Sequence, residues 1–219
     1  MKNIKNFVCP IIAFIVFIVF TALVKTVDVQ AIGPEGSSVG FAAVNQAVLN
    51  ALSDNHFMYT LTEYIGYFAL AVMFLFACVG LYQLVKGKSL KAVDPRLYTL
   101  AGFYVIMLAF YALFEVLVIN YRPMILDEGL EASYPSSHTM LAICVMVSAT
   151  FQFGYLLENK FLCRALSCVA YVVCVVAVIG RLMSGVHWFT DIIGGVLLSF
   201  ALIALYASVM KIVTDKYVK

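Results

Sequence analysis

The chain has 219 residues, of which 64% are hydrophobic and only 12% charged, with a formal net charge of +2. Its mean hydropathy is +1.00, and soluble domains carry about 25% charged residues, so the composition excludes an ordinary water-soluble protein. So small a net charge, without a basic cluster interleaved with aromatics, also argues against a nucleic-acid partner.

Six apolar runs reach the roughly 20 residues that a bilayer-spanning helix needs. They cover about 7–24, 59–85, 97–119, 138–157, 165–182 and 188–210. The expected fold class is all-α, an integral membrane bundle of six transmembrane helices, in a single domain over 1–219. Lys2 and Lys5 precede the first run, as in a secretory signal with Val29-Gln30-Ala31 as its cleavage site. The run from Phe7 to Val24 is long for a signal, which favours an uncleaved first span. Residues 25–58 hold the breakers Gly33, Pro34, Gly36 and Ser37-Ser38. After them, 39–52 is mildly amphipathic and suits a short helix lying flat on the membrane. Cys9, Cys78, Cys144, Cys163, Cys168 and Cys174 lie in spans or beside a short loop. Without CxxC or His–Cys ligand spacing they read as small hydrophobes, and no zinc site is supported.

The basic residues set an orientation. With the N-terminus inside, Lys2, Lys5, Lys86, Lys88, Lys91, Arg96, Lys160, Arg164, Lys211, Lys216 and Lys219 fall on the inner face. Of the 14 basic residues only Lys25, Arg122 and Arg181 fall outside. That asymmetry is the positive-inside pattern, and it places both termini in the cytoplasm. Asp127, Glu128, Glu131, Asp191, His138 and His187 share the outer side with the two exceptional arginines.

Four short stretches combine chemistry with that placement. Arg122-Pro123 closes the third run, where proline cannot continue a helix; it reads as a snorkelling arginine or as an anion ligand. Pro135-Ser136-Ser137-His138 opens the fourth run, as a simple N-cap or as an anion site made of serine hydroxyls and free N–H groups. Arg181 ends the fifth run. His187 and Asp191, four apart at the start of the sixth, share one helical face. There the carboxylate can hold the proton of one imidazole nitrogen and free the other as a nucleophile, or simply complement the helix dipole. Charge near hydrocarbon costs roughly 2.5–3.5 kcal/mol per residue, so the conjunction of all these groups on one side needs a reason.

These motifs resemble the type 2 phosphatidic acid phosphatase (PAP2) superfamily, whose signature is Lys-x6-Arg-Pro, Pro-Ser-Gly-His and Ser-Arg-x5-His-x3-Asp. Here it reads Glu115-x6-Arg122-Pro123, Pro135-Ser136-Ser137-His138 and Gly180-Arg181-x5-His187-x3-Asp191, within about 97–205. The resemblance implies a metal-independent membrane phosphatase, free of cofactors, acting on a lipid phosphate or diphosphate at the outer face. Undecaprenyl diphosphate, phosphatidylglycerophosphate and phosphatidic acid are the substrates it suggests. His187 is similar to the nucleophile that forms a phosphohistidine, Asp191 to the residue that orients it, and His138 to the general acid. Arg122, Arg181, Ser136 and Ser137 resemble the phosphate ligands.

Three positions depart from the pattern. Glu115 replaces the lysine; two helical turns before Arg122, it is expected to salt-bridge and aim that arginine, or to stay protonated. Gly180 removes a serine hydroxyl, and Ser137 replaces a glycine. Asp127, Glu128 and Glu131 form an acidic loop that either shapes headgroup choice or is simply solvated. A lipid phosphotransferase using the same phosphohistidine and a non-catalytic lipid-binding relative are the competing functions. Haloperoxidases carry vanadate in a similar site but are typically soluble.

Overall fold

The computed structural model describes residues 4–52, 55–125 and 129–217. Seven α-helices follow in order: α1 (Val8–Thr26), α2 (Ala42–Leu52), α3 (His56–Gly87), α4 (Pro95–Val116), α5 (Ser137–Leu156), α6 (Lys160–Met183) and α7 (Phe189–Tyr217). Six are long and apolar enough to cross a membrane; α2 is the short one. The chain is thus an all-α, multi-pass membrane protein. Lys2, Asp127, Glu128 and Lys219 lie outside the described residues.

Polar residues mark where the spans begin. Asn55, Asp94, Ser136 and Asn159 each accept a hydrogen bond from a backbone N–H in the first turn of α3, α4, α5 and α6, satisfying donors that have no partner within the helix. Pro95 follows Asp94 at the first helical position, where its missing N–H costs nothing. The Asn159 cap starts α6 five residues before the apolar run that betrays it in the sequence. At the other extreme α4 stops at Val116, although Leu117, Val118 and Ile119 continue the apolar run. The chain there turns into a short antiparallel pairing in which Tyr121 faces Ala132.

Layering is set by what each helix faces. α5 and α7 are the most enclosed: α5 packs on α3, α4, α6 and α7, while α1 lies along α7. The interior runs through Phe103, Met107, Tyr134, Met140, Leu198 and Tyr206. Outward-facing residues of α1, α3 and α6 are large and apolar, among them Ile11, Ile15, Phe74 and Val172, as expected where hydrocarbon replaces water as the solvent.

Two glycine positions bring the site's elements together. A Cβ on Gly194 would collide with the Tyr134 ring, and one on Gly195 would lie 3.0 Å from the Ser136 carbonyl oxygen. Their absence lets the start of α7 rest on the turn that opens α5. A Cβ on Gly180 would lie 2.6 Å from the Thr62 methyl, so α6 and α3 also meet closely. Consecutive spans run in opposite directions, so the starts of α3, α5 and α7 and the ends of α4 and α6 gather at one end of the bundle.

Candidate active site

That end of the bundle holds the polar cluster. Asp191, in the first turn of α7, is fully buried. Its Oδ1 accepts from Asn120 Nδ2 at 3.0 Å, and its Oδ2 accepts from the Trp188 backbone N–H at 3.0 Å. The Asp191 carbonyl in turn accepts from the Ser136 N–H at 3.0 Å, which joins the α7 start to the α5 cap. Trp188 is buried and donates its indole N–H to the Tyr121 carbonyl at 2.7 Å. The loop carrying His187 is therefore fixed from both sides.

His187 Nδ1 lies 3.8 Å from Asp191 Oδ2. That is ion-pair range and longer than a hydrogen bond, so the carboxylate orients the ring chiefly through its field. The opposite nitrogen, Nε2, stands 3.4 Å from Arg122 Nη1. A guanidinium nitrogen can only donate, so Nε2 is the lone-pair side and the imidazole proton sits on Nδ1, toward Asp191. Burial first, then the charges of Arg122 and Arg181, push the His187 imidazole well below the ordinary histidine range. The ring is neutral at neutral pH, with a bare nitrogen aimed at a cation.

Arg122 is held from behind. Its Nε donates to Glu131 Oε2 at 2.8 Å, and its backbone N–H donates to the Glu131 carbonyl at 3.0 Å. This differs from the expected Glu115 pairing. The two-turn argument needs helix from 115 to 122, but α4 ends at Val116. Glu115 is left exposed, near Tyr111 and Phe114 at the helix end. Glu131, read as one residue of a solvated loop, is the true partner.

The second cation has a partner that the motifs do not contain. Glu63, in the second turn of α3, accepts from Arg181 Nη2 at 2.7 Å through Oε1, and its Oε2 faces His138 Nε2 at 3.3 Å. Arg181 is only 1% exposed, and its Nε and Nη1 have no hydrogen-bond partner among the described residues. His138 Nδ1 is likewise buried and unpartnered. Ser136 is buried and spends its hydroxyl on the α5 cap, accepting from the Thr139 N–H at 3.4 Å; Ser137 sits next to it, lining the cleft beside His138. Gly180 is explained by packing. The Thr62 methyl occupies the space where a serine side chain would be, while the Thr62 hydroxyl bonds back to the Met58 and Tyr59 carbonyls of its own helix.

Thus Arg122, His138, Arg181 and His187 meet at one place, with Asp191 behind His187 and Ser136 and Ser137 at the α5 start. Among the described residues no three His, Cys, Asp or Glu side chains cluster closely enough to hold a metal ion. The sequence profile of the PAP2 superfamily matches residues 117–215, the stretch that supplies all of these groups. Over that stretch the chain carries the PAP2 pattern. The chain also superposes on the crystal structure of the first transmembrane PAP2-type phosphatidylglycerolphosphate phosphatase from Bacillus subtilis. The TM-score is 0.65 at 20% identity, over 96% of this chain and 98% of that one. At that identity the likeness establishes the shared fold. No curated protein matches the chain in sequence.

Three residues that hold the cluster together lie outside the motifs. Glu63 was detectable as a single acid at the start of a long apolar run, a placement that is costly without a partner. Asn120 had no such mark. Asn45, on α2, is buried; it accepts from the Thr190 N–H at 3.1 Å and donates to the Thr190 hydroxyl at 2.9 Å. The surface helix therefore caps α7 three residues from His187.

Proposed function

We infer that this chain is a membrane phosphatase that removes the terminal phosphate from a lipid phosphate or diphosphate through a phosphohistidine on His187. The observation that carries this reading is a neutral, buried histidine whose free nitrogen faces Arg122, next to Arg181 with two guanidinium nitrogens unpartnered. Buried polar groups are nearly always satisfied, and a tetrahedral anion between these cations would satisfy them while placing phosphorus before Nε2. Asp191 holds the ring and offsets the charge that develops on it. His138 protonates the departing oxygen and then draws a proton from water. Arg122 and Arg181, with Ser136 and Ser137, bind the phosphate oxygens. Preorganised cations in a dry site act without reorganising during the reaction, and no step calls on a metal ion.

A lipid substrate is supported by the surroundings. A cleft of about 300 Å³ between α3, α4 and α5 runs from Glu63 and His138 along Tyr67, Leu70, Met107 and Leu141. It is apolar along its length and polar at the site, as a tail with a phosphate head requires. The match of residues 117–215 to the PAP2 superfamily supports phosphatase activity in general terms. The basic residues of the far end, set against Lys25, Arg122 and Arg181 at this one, favour a site at the outer face with both termini inside.

Purified protein in detergent should release inorganic phosphate from at least one of phosphatidylglycerophosphate, phosphatidic acid and undecaprenyl diphosphate, with no added acceptor and with chelator present. Release that depends on an added hydroxyl acceptor would establish phosphotransfer instead. Complete loss on chelation would overturn the metal-free route, and silence on every lipid would overturn the enzyme.

A further inference from the structure

Glu63 stands against the group that the proposed reaction uses on its departing side. Its carboxylate spans Arg181 Nη2 at 2.7 Å and His138 Nε2 at 3.3 Å. Two further observations give it a consequence for substrate choice. His138 and Glu63 both line the same apolar cleft, so a departing group with a lipid tail leaves directly past this carboxylate. The site's cations are also already matched. Arg122 is paired with Glu131 at 2.8 Å and Arg181 with Glu63 at 2.7 Å. Little uncompensated positive charge remains for a second phosphate group.

In the proposed step His187 Nε2 forms a bond to phosphorus as the bond from phosphorus to the departing oxygen breaks, and the His138 proton passes to that oxygen. Water then forms a new P–O bond as the P–N bond breaks, returning a proton to His138. From a lipid phosphate monoester the departing group is a neutral alcohol. From a lipid diphosphate it is a lipid monophosphate, which carries negative charge. A carboxylate fixed beside the departing oxygen tolerates the first and repels the second.

We propose that Glu63 is a specificity-determining residue that makes this site select lipid phosphate monoesters over lipid diphosphates. The inference rests on the phosphatase reading above and adds to it the class of departing group.

The test compares phosphate release from a monoester and a diphosphate of one isoprenoid alcohol, as kcat/KM, using the purified full chain in detergent. Wild type should favour the monoester by about tenfold or more. Glu63→Gln keeps the size and a hydrogen-bond acceptor but removes the charge, and should raise the diphosphate-to-monoester ratio by about tenfold, whatever it does to either rate. A residue that merely positioned His138 and Arg181 would lower both rates together; an unchanged ratio therefore overturns the proposal. So does a wild type that treats the two alike or prefers the diphosphate, a result that needs no variant to fold. Wild type releasing phosphate from neither also overturns this inference, and if phosphatidylglycerophosphate and phosphatidic acid yield no phosphate either, the phosphatase reading falls with it.

Discussion

His187 and His138 stand near the same two arginines in opposite surroundings. His187 is 2% exposed and Asp191 behind it is fully enclosed, with Asn120, Trp188 and the α5 cap closing around them. The side chains of His138 and Glu63 are each 27% exposed, at the mouth of the cleft between α3, α4 and α5. The contrast follows the division of labour in the proposed reaction. A nitrogen nucleophile works only when neutral and aimed, which a dry, braced pocket ensures. A group that hands its proton to a departing lipid and then works on water must touch both, so it belongs at an edge.

The largest effect should come from the enclosed half. His187→Ala removes the only group proposed to bond to phosphorus, and phosphate release should fall by about 10⁴-fold or more. A residual rate close to wild type, measured by phosphate assay on folded protein, would collapse the distinction between the two histidines. Asp191→Asn keeps the shape but not the charge, and a loss of about 10³-fold or more in kcat is expected. If the loss stays near tenfold, the 3.8 Å separation from His187 marks a carboxylate that braces the loop more than it serves the ring.

A pH profile sharpens the comparison further. The His187 imidazole is depressed below its reference value of 6.5 by burial and by Arg122 and Arg181. A lowered value means that the neutral ring survives to lower pH and is lost only as pH falls through that lowered value. The acid limb of kcat/KM that depends on His187 should therefore lie below pH 6.5, since kcat/KM reports the free enzyme. A limb at or above that point would show the pocket to be as wet as the His138 side. The smallest effect belongs to Glu115→Lys, outside both halves. With the side chain exposed and Arg122 bound to Glu131, kcat/KM should change by no more than about threefold. A collapse would mean that Glu115 reaches the site after all.

Much of this was legible in the sequence because the bilayer limits the alternatives. Span length reports directly on the fold, and the spacing of Arg122, His138, Arg181, His187 and Asp191 on what converges. Pairings across the bundle were not legible. Glu63 lies 75 residues from His138 and 118 from Arg181 along the chain, and no local pattern ties them. Leu117, Val118 and Ile119 look like more helix, which would set Glu115 under Arg122, whereas the backbone leaves α4 to make the Tyr121–Ala132 pairing that carries Arg122. Asn45 falls within the amphipathic stretch 39–52 without a motif of its own; only its distance to Thr190 reveals the cap.

The bare backbone at Gly180 ties two positions to a common fate. A serine there would place its Cβ 2.6 Å from the Thr62 methyl, so the threonine, or the approach of α6 to α3, would have to give way. Drift at either position is thus conditional on the other. Variants of this chain with a hydroxyl at 180 should be better tolerated with glycine, alanine or serine at 62 than with Thr62.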